Sequence, residues 1–224
     1  MSKVLITGAT SGLGRSIAEK FLAAGWVVYA HGRTPSNIRD LLRNPRCNFF
    51  CNDLLKQGQL KKLVGLVRRH EIDCFVSNAG IYADQGESIT NRLCLKVLTT
   101  NLVAPVMVMK DIYAYYKAKR AGTIISINSI AGLTANPNEA VYCASKQGLS
   151  GFVKSLQMDA CRHNVRIIDY YLGAMQTRMT LKREGYGGFI KPEDVADLVI
   201  ANVISVQSFI PVCQELRKFS VVRS

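Results

Sequence analysis

Short apolar runs rich in β-branched residues alternate with amphipathic stretches along nearly the whole chain. The runs KVLITG (3–8), WVVYAHGR (26–33), CNFFCND (47–53), DCFVSNAG (73–80), GTIISINS (122–129) and NVRIIDYYLG (164–173) have the length and composition of buried strands. Between them, apolar positions recur at helical spacing and predict helices over 13–25, 36–43, 54–70, 88–119, 142–163 and 192–205. Gly25 closes the first of these, and Pro192 with Glu193 and Asp194 opens the last. SFIPVCQEL (208–216) reads as a final strand. The strands are too apolar to leave one face in water. With helices between them, they predict an α/β fold: a doubly wound parallel sheet covered by helices on both faces.

The length of 224 residues suits one substantial domain, and no repeat or Pro/Ser-rich linker divides it, so 1–224 reads as a single unit. The segment 176–191 carries three glycines and four basic residues and is the expected substrate-side loop. A composition of 48% hydrophobic and 20% charged residues argues against disorder. The net charge of +13 is first of all a solvated basic surface and secondly suits an anionic partner; the basic residues are dispersed and no aromatic-interleaved stripe appears. A small anion, such as a cofactor phosphate or an acidic substrate, is therefore preferred over nucleic acid. Seven cysteines without CxxC pairs suggest reduced thiols in the cytoplasm and no metal site. No apolar run reaches the roughly 18 residues that span a bilayer, and the start MSKVLITGAT enters a strand directly, so neither membrane nor leader is expected. His31, His70 and His163 show no ligand spacing and receive no role.

The chemistry concentrates in two places. TGATSGLG (7–14) follows a strand and precedes a helix. There Gly8 permits the tight turn, Gly12 lets backbone approach a pyrophosphate, and Gly14 lets helix pack on strand. The helix N-terminus then offers N–H groups to phosphate. No acid occurs from Trp26 to Arg39, where an NAD-preferring site would hold the ribose 2′-hydroxyl; Arg33 stands there instead, while Arg15, at the start of the first helix, is more readily read as turned away from the site. A guanidinium binds a 2′-phosphate with paired hydrogen bonds, which favours NADPH over NADH. Asp53 either accepts from the adenine amino group or caps the next helix. Asn78, Ala79 and Gly80 end the fourth strand, where Gly80 lets a ribose lie close and Asn78 ties neighbouring strands.

Further along, Tyr142 and Lys146 lie four apart at a helix start and so share one face. An ammonium beside a phenol is expected to lower the tyrosine pKa towards neutrality. Ser129, at the end of the strand TIISINS, can face the same spot as a second donor to a substrate oxygen.

These motifs, in this order, resemble the classical short-chain dehydrogenase/reductase family. TGxxxGxG matches 7–14, NAG matches 78–80, and YxxxK matches 142–146 with Ser129 thirteen residues upstream. Asn101 matches the family's catalytic asparagine, Asp53 its adenine-side aspartate, and Arg33 the basic position of NADPH-dependent members. The resemblance implies a Rossmann-like sheet and reversible hydride transfer between NADP(H), with NAD(H) possible, and a carbonyl or alcohol. It implies that Tyr142 gives the proton while Ser129 holds the oxygen. Lys146 supports the phenolate and the nicotinamide ribose, and Asn101 holds a water in a relay to solvent; read by itself, Asn101 equally suits a residue that satisfies backbone groups at a helix kink. It further places Thr10, Ser11, Leu13 and Leu54 against the cofactor, with Gly173 near the nicotinamide and Thr177 at its carboxamide. Leu172 replaces the usual proline before Gly173, and the C-terminal part is short. The family also implies a homodimer or homotetramer through the helices 88–119 and 142–163. Leu149 and Phe152 are compatible with such a face and equally with core packing. Two other readings stay open: NAD-linked alcohol oxidation, and an NADPH-binding sensor without turnover.

Overall fold

The computed structural model describes residues 1–82, 89–205 and 213–217. Seven strands form one parallel sheet: β1 (Lys3–Thr7), β2 (Val27–Gly32), β3 (Cys47–Cys51), β4 (Cys74–Ser77), β5 (Thr123–Ser129), β6 (Arg166–Leu172) and β7 (Cys213–Leu216). Their order is β3-β2-β1-β4-β5-β6-β7, so the connections diverge between β1 and β4. The six α-helices are α1 (Gly12–Ala23), α2 (Gln57–His70), α3 (Asn91–Leu98), α4 (Ala104–Lys119), α5 (Ala140–Ala160) and α6 (Pro192–Ile204).

Alternate strand residues feed two apolar layers. Val4, Ile6, Val28, Val76, Ile125, Ile168 and Tyr170 pack with α1 and α6. Leu5, Phe75, Ile124 and Ile167 pack with α2, α4 and α5. Full burial of each such side chain contributes about 1.5–3 kcal/mol. Helix α1 ends as expected at Gly25, whose φ of +83° is the left-handed region. There the Trp26 N–H reaches the Phe21 carbonyl at 3.0 Å, and the two rings meet edge-on at 4.9 Å.

Several boundaries differ from the sequence reading. The stretch 36–43 forms two short 3₁₀ turns, Pro35–Ile38 and Leu41–Arg43, instead of one helix. Helix α2 starts at Gln57, because Asp53 turns the chain first: its carboxylate accepts from the Leu55 N–H at 3.1 Å and its N–H donates to Gln59 Oε1 at 2.8 Å. Strand β3 stops at Cys51, two residues before Asp53. Helix α5 begins at Ala140 and gives way to a 3₁₀ turn at Cys161–His163. The helix expected over 88–119 begins at Asn91 and is broken by a π-turn, Thr99–Val103. Ser88 and residues 208–212 of the expected last strand lie outside the described residues.

The run Asn91–Lys119 is long and apolar enough by composition to cross a bilayer, contrary to the sequence expectation. Ala104, Val108, Met109, Ile112, Tyr113 and Tyr116 of α4 are buried in the layer that packs on the sheet, and 33% of the apolar window is buried in all. Leu149 is buried and Phe152 packs on the same layer, so core packing accounts for both. Leu95, Val103 and Met107 are the exposed apolar residues of α3, the π-turn and α4.

Candidate active site

A cavity of about 290 Å³ opens at the C-terminal ends of the central strands, over the divergence between β1 and β4. That is where ligands bind in open α/β sheets. Its floor is the loop between β1 and α1. Gly8 and Gly12 have φ of +68° and +51°, which only glycine adopts freely. Thr10, Ser11 and Leu13 also line it, whereas Gly14 lies beneath, against the Gly8 carbonyl and the Asn78 amide. Ser11 caps α1 without a side-chain hydrogen bond, and the first turn has no acid. The helix start therefore presents N–H groups suited to phosphate.

Asn78 joins the two sides of the divergence. Its amide donates to the Thr7 carbonyl at 2.9 Å and its N–H to Thr7 Oγ1 at 2.9 Å. Ala79 and Gly80 continue along the cavity, and Arg33, Asp53 and Leu54 line its far end. Arg33 is exposed there, and its carbonyl accepts from the Cys51 thiol. Arg15 is not available as a second phosphate ligand: it is held by Glu19, Asp40 and the Asn37 carbonyl.

Two further wall residues are His31, which received no role above, and Asn52; neither carries a spacing signal in the sequence. Both are buried, and His31 Nε2 and Asn52 Oδ1 have no full hydrogen-bond partner among the described residues. The Gly8 N–H donates to His31 Nδ1 at 3.4 Å. Burial pushes the His31 pKa down to about 4, partly offset by Asn52 and Asp53. The unfolded chain binds this proton near pH 6.5 and the folded chain only near 4, so folding loses stability as pH falls through that window. Denaturant titrations should show this slope between pH 6.5 and 4, reaching at most about 1.4 kcal/mol per pH unit from this one group. His31→Asn should flatten it; an unchanged slope would remove His31 as its source.

At the other end of the cavity stand Tyr142 and Lys146, on one face of α5. Lys146 is buried, and its ammonium donates to the Ile127 carbonyl at 3.1 Å. Desolvation lowers its pKa to about 8, opposed by the buried Asp169 on β6. Tyr142 does not show the expected lowering. Withdrawal from water raises its pKa, and a hydrogen bond with Ser129 pulls it back. The ammonium is engaged with strand β5, so burial outweighs it. Ser129 also accepts from the Ala131 N–H at 3.2 Å, which fixes it at the strand end. The neighbouring Asn128 accepts from the Ser129 N–H at 2.9 Å and donates to Asp169 at 3.2 Å.

Asn101 is buried at the π-turn behind the cavity. Its amide bonds both ways with Ile81 at 2.8 Å and reaches Ser145 Oγ at 3.3 Å. The side chain thus satisfies backbone where the helix is broken. Thr177 lines the cavity with Met175 and Arg178, whereas Gly173 lies outside the lining and donates its N–H to the Leu216 carbonyl at 2.9 Å. Among the described residues no group of three or more His, Cys, Asp or Glu side chains is placed to hold a metal.

The sequence model of the short chain dehydrogenases matches residues 2–185. The 3-oxoacyl-acyl-carrier-protein reductase FabG of Rickettsia prowazekii (strain Madrid E) is 32% identical over 207 residues, covering 86% of this chain and 85% of that protein. Two solved structures share the fold. A 4-hydroxyisoleucine dehydrogenase complexed with NADH has a TM-score of 0.88 at 23% identity, covering 97% of this chain and 98% of its own. An actinorhodin polyketide ketoreductase variant with NADPH has a TM-score of 0.86 at 24% identity, covering 97% and 96%. With the family's glycine loop and YxxxK pair opening on one cavity, and the match running over most of its length, this chain belongs to the short-chain dehydrogenase family of oxidoreductases.

Proposed function

We propose that the protein is an NADPH-dependent reductase of carbonyl compounds, acting reversibly on the corresponding alcohols. One observation carries the reading: Tyr142, Lys146, Arg33 and the glycine loop all line the same cavity. The wall fits a dinucleotide, with an uncapped helix start at its centre whose N–H groups are suited to phosphate. The loop 7–14 would hold the pyrophosphate, and Arg33 the 2′-phosphate. Asp53 and Leu54 would flank the adenine, Gly80 the ribose and Thr177 the carboxamide. When bound, the nicotinamide supplies the hydride.

The protein's own part is to orient the substrate and move a proton. The substrate oxygen would sit between the hydroxyls of Tyr142 and Ser129, and Tyr142 would hand it a proton as negative charge develops. Preorganised donors aimed at that oxygen are the main source of rate. Lys146 would support the resulting phenolate and the ribose hydroxyls. Asn101 keeps a part in the proton route as the residue that fixes the helix break, its side chain being committed to Ile81. We read the chain as a single unit, with 176–191 on the substrate side.

Arg178 lines the cavity, and the FabG relative is named a reductase of 3-oxoacyl-acyl-carrier protein, so anionic or thioester-linked ketones are the first substrates to try. Assembly as a homodimer or homotetramer and a cytoplasmic setting complete the reading. A panel of ketones and 3-oxoacyl thioesters, followed by NADPH absorbance, tests it. Tight NADPH binding without consumption across the panel would favour the sensor reading. Arg33→Asp should weaken NADPH relative to NADH by roughly 10–100-fold, the size of a lost charge-assisted pair. An unchanged ratio would mean that another group holds the 2′-phosphate.

A further inference from the structure

Outside the set of Tyr142, Lys146 and Ser129, one buried carboxylate faces the same phenol. Glu139 caps the start of α5, three residues before Tyr142, and is 6% exposed. The Tyr82 hydroxyl donates to its Oε1 at 2.9 Å, and the Asn136 amide donates to its Oε2 at 2.9 Å. Arg183, from the segment after β6, brings a guanidinium nitrogen to 3.5 Å from the same Oε1. That guanidinium also lies over the Tyr82 ring, 5.4 Å from its centre. The Tyr82 ring in turn meets Tyr142 edge-on at 5.2 Å. The base of the segment is tied by the pairing of Met175 with Ile190, so Arg183 arrives from an anchored loop.

We propose that Arg183 and Glu139 form a charge pair that tunes Tyr142: the segment after β6 delivers a guanidinium to a carboxylate buried beside the phenol, cancelling a field that would hold the proton on it. A carboxylate this buried is costly unless paired, and an uncompensated negative charge opposes formation of a phenolate next to it. No proton passes through the pair. The proton leaves Tyr142 for the substrate oxygen, and the pair alters only how readily it goes. The Tyr82 ring, fixed by both partners, holds the edge of Tyr142 in place.

Among the described residues, the groups acting on Tyr142 come from four directions: Ser129 at the end of β5, Cys143 on α5, Glu139 before it with Tyr82 beside it, and Arg183. After burial and the Ser129 bond, Glu139 raises the phenol's pKa and Arg183 lowers it. The proposal rests on Tyr142 as the proton donor, yet the pair can be tested without turnover.

The test is carbon-13 NMR of protein labelled at tyrosine Cζ, the Tyr142 signal being assigned by its loss in Tyr142→Phe. Arg183→Gln should move the onset of that signal's titration to higher pH, a change of roughly three- to tenfold in the acid constant given the exposure of Arg183. Arg183→Lys should return most of the shift. Glu139→Gln should move the onset down and leave Arg183→Gln with little further effect. An onset unchanged in Arg183→Gln would overturn the proposal, as would an equal Arg183 effect with and without Glu139. Arg183 is exposed, so its variants should keep the fold even if the Glu139 variant does not. Should the shift appear while no carbonyl in the panel is reduced, the oxidoreductase reading fails and the pair stands. Turnover without the shift sinks the pair alone.

Discussion

Replacing Tyr142 by phenylalanine should leave NADPH affinity within a few-fold of the parent and cut turnover by about 10²–10⁴-fold, the typical contribution of one general acid. The substitution removes one oxygen and keeps the ring. That ring is held against Tyr82 at 5.2 Å, and the other cavity walls, the glycine loop and Asn78 to Gly80, are untouched. The loss should therefore fall on kcat, with the Kd for NADPH from fluorescence titration nearly constant. The group removed is the one whose hydroxyl pairs with Ser129 and is withdrawn from water. In such surroundings the neutral phenol is favoured before reaction, so the proton is in place to be given. Turnover preserved in Tyr142→Phe would defeat the assignment, whatever its effect on binding.

Gly14→Ala should be among the most damaging small changes in the protein. A Cβ at Gly14 would fall well inside contact distance of the Gly8 carbonyl oxygen and the Asn78 amide, and 2.9 Å from the Gly8 carbonyl carbon. Two of these three atoms are backbone of the phosphate-facing turn, so no side-chain rotation relieves the clash. Either the loop shifts, opening the phosphate cradle, or α1 moves off the sheet and disturbs Ile17, Ala18 and Phe21 in the core. Overpacking of this kind costs about 1–3 kcal/mol, and more where backbone must move. The expected readout is a lower midpoint in thermal unfolding together with loss of measurable NADPH binding. Gly65→Ala is the matched control, because a Cβ there meets nothing within 4 Å. Equal stability of the two variants would mean that the loop yields freely.

The order of strands, the crossing helices and the glycine loop were legible because each is a local signal: period, apolar run, or a residue type that a turn demands. The pairing of Tyr142 with Lys146 on one helical face was legible for the same reason. What escaped was tertiary. The break in the long helix is placed at Thr99–Val103, where Asn101 bonds to Ile81 across the fold; a kink at Asn101 is one reading of the sequence, but its partner lies twenty residues away. The delayed start of α2 depends on Asp53 and Gln59 meeting around a turn. The Tyr142 phenol was misjudged because spacing places the ammonium on its face but not the Ile127 carbonyl that holds it. Arg15 is more readily read as turned away from the site, and the structure supplies the partner, Asp40, that holds it. His31 and Asn52 became site residues only when burial left them facing the cavity.

The stitch between Thr7 and Asn78 has a mechanical meaning. It crosses the seam where the chain's two winding directions part, and it bonds one edge of that seam to the other beneath the glycine loop. A dinucleotide laid along the cavity would touch both halves and act as a splint over the same joint. Cofactor and scaffold would then share one fate: heating the bound protein should open both halves in a single event, delayed by about 2.7 kcal/mol when the ligand stands at a hundred times its Kd.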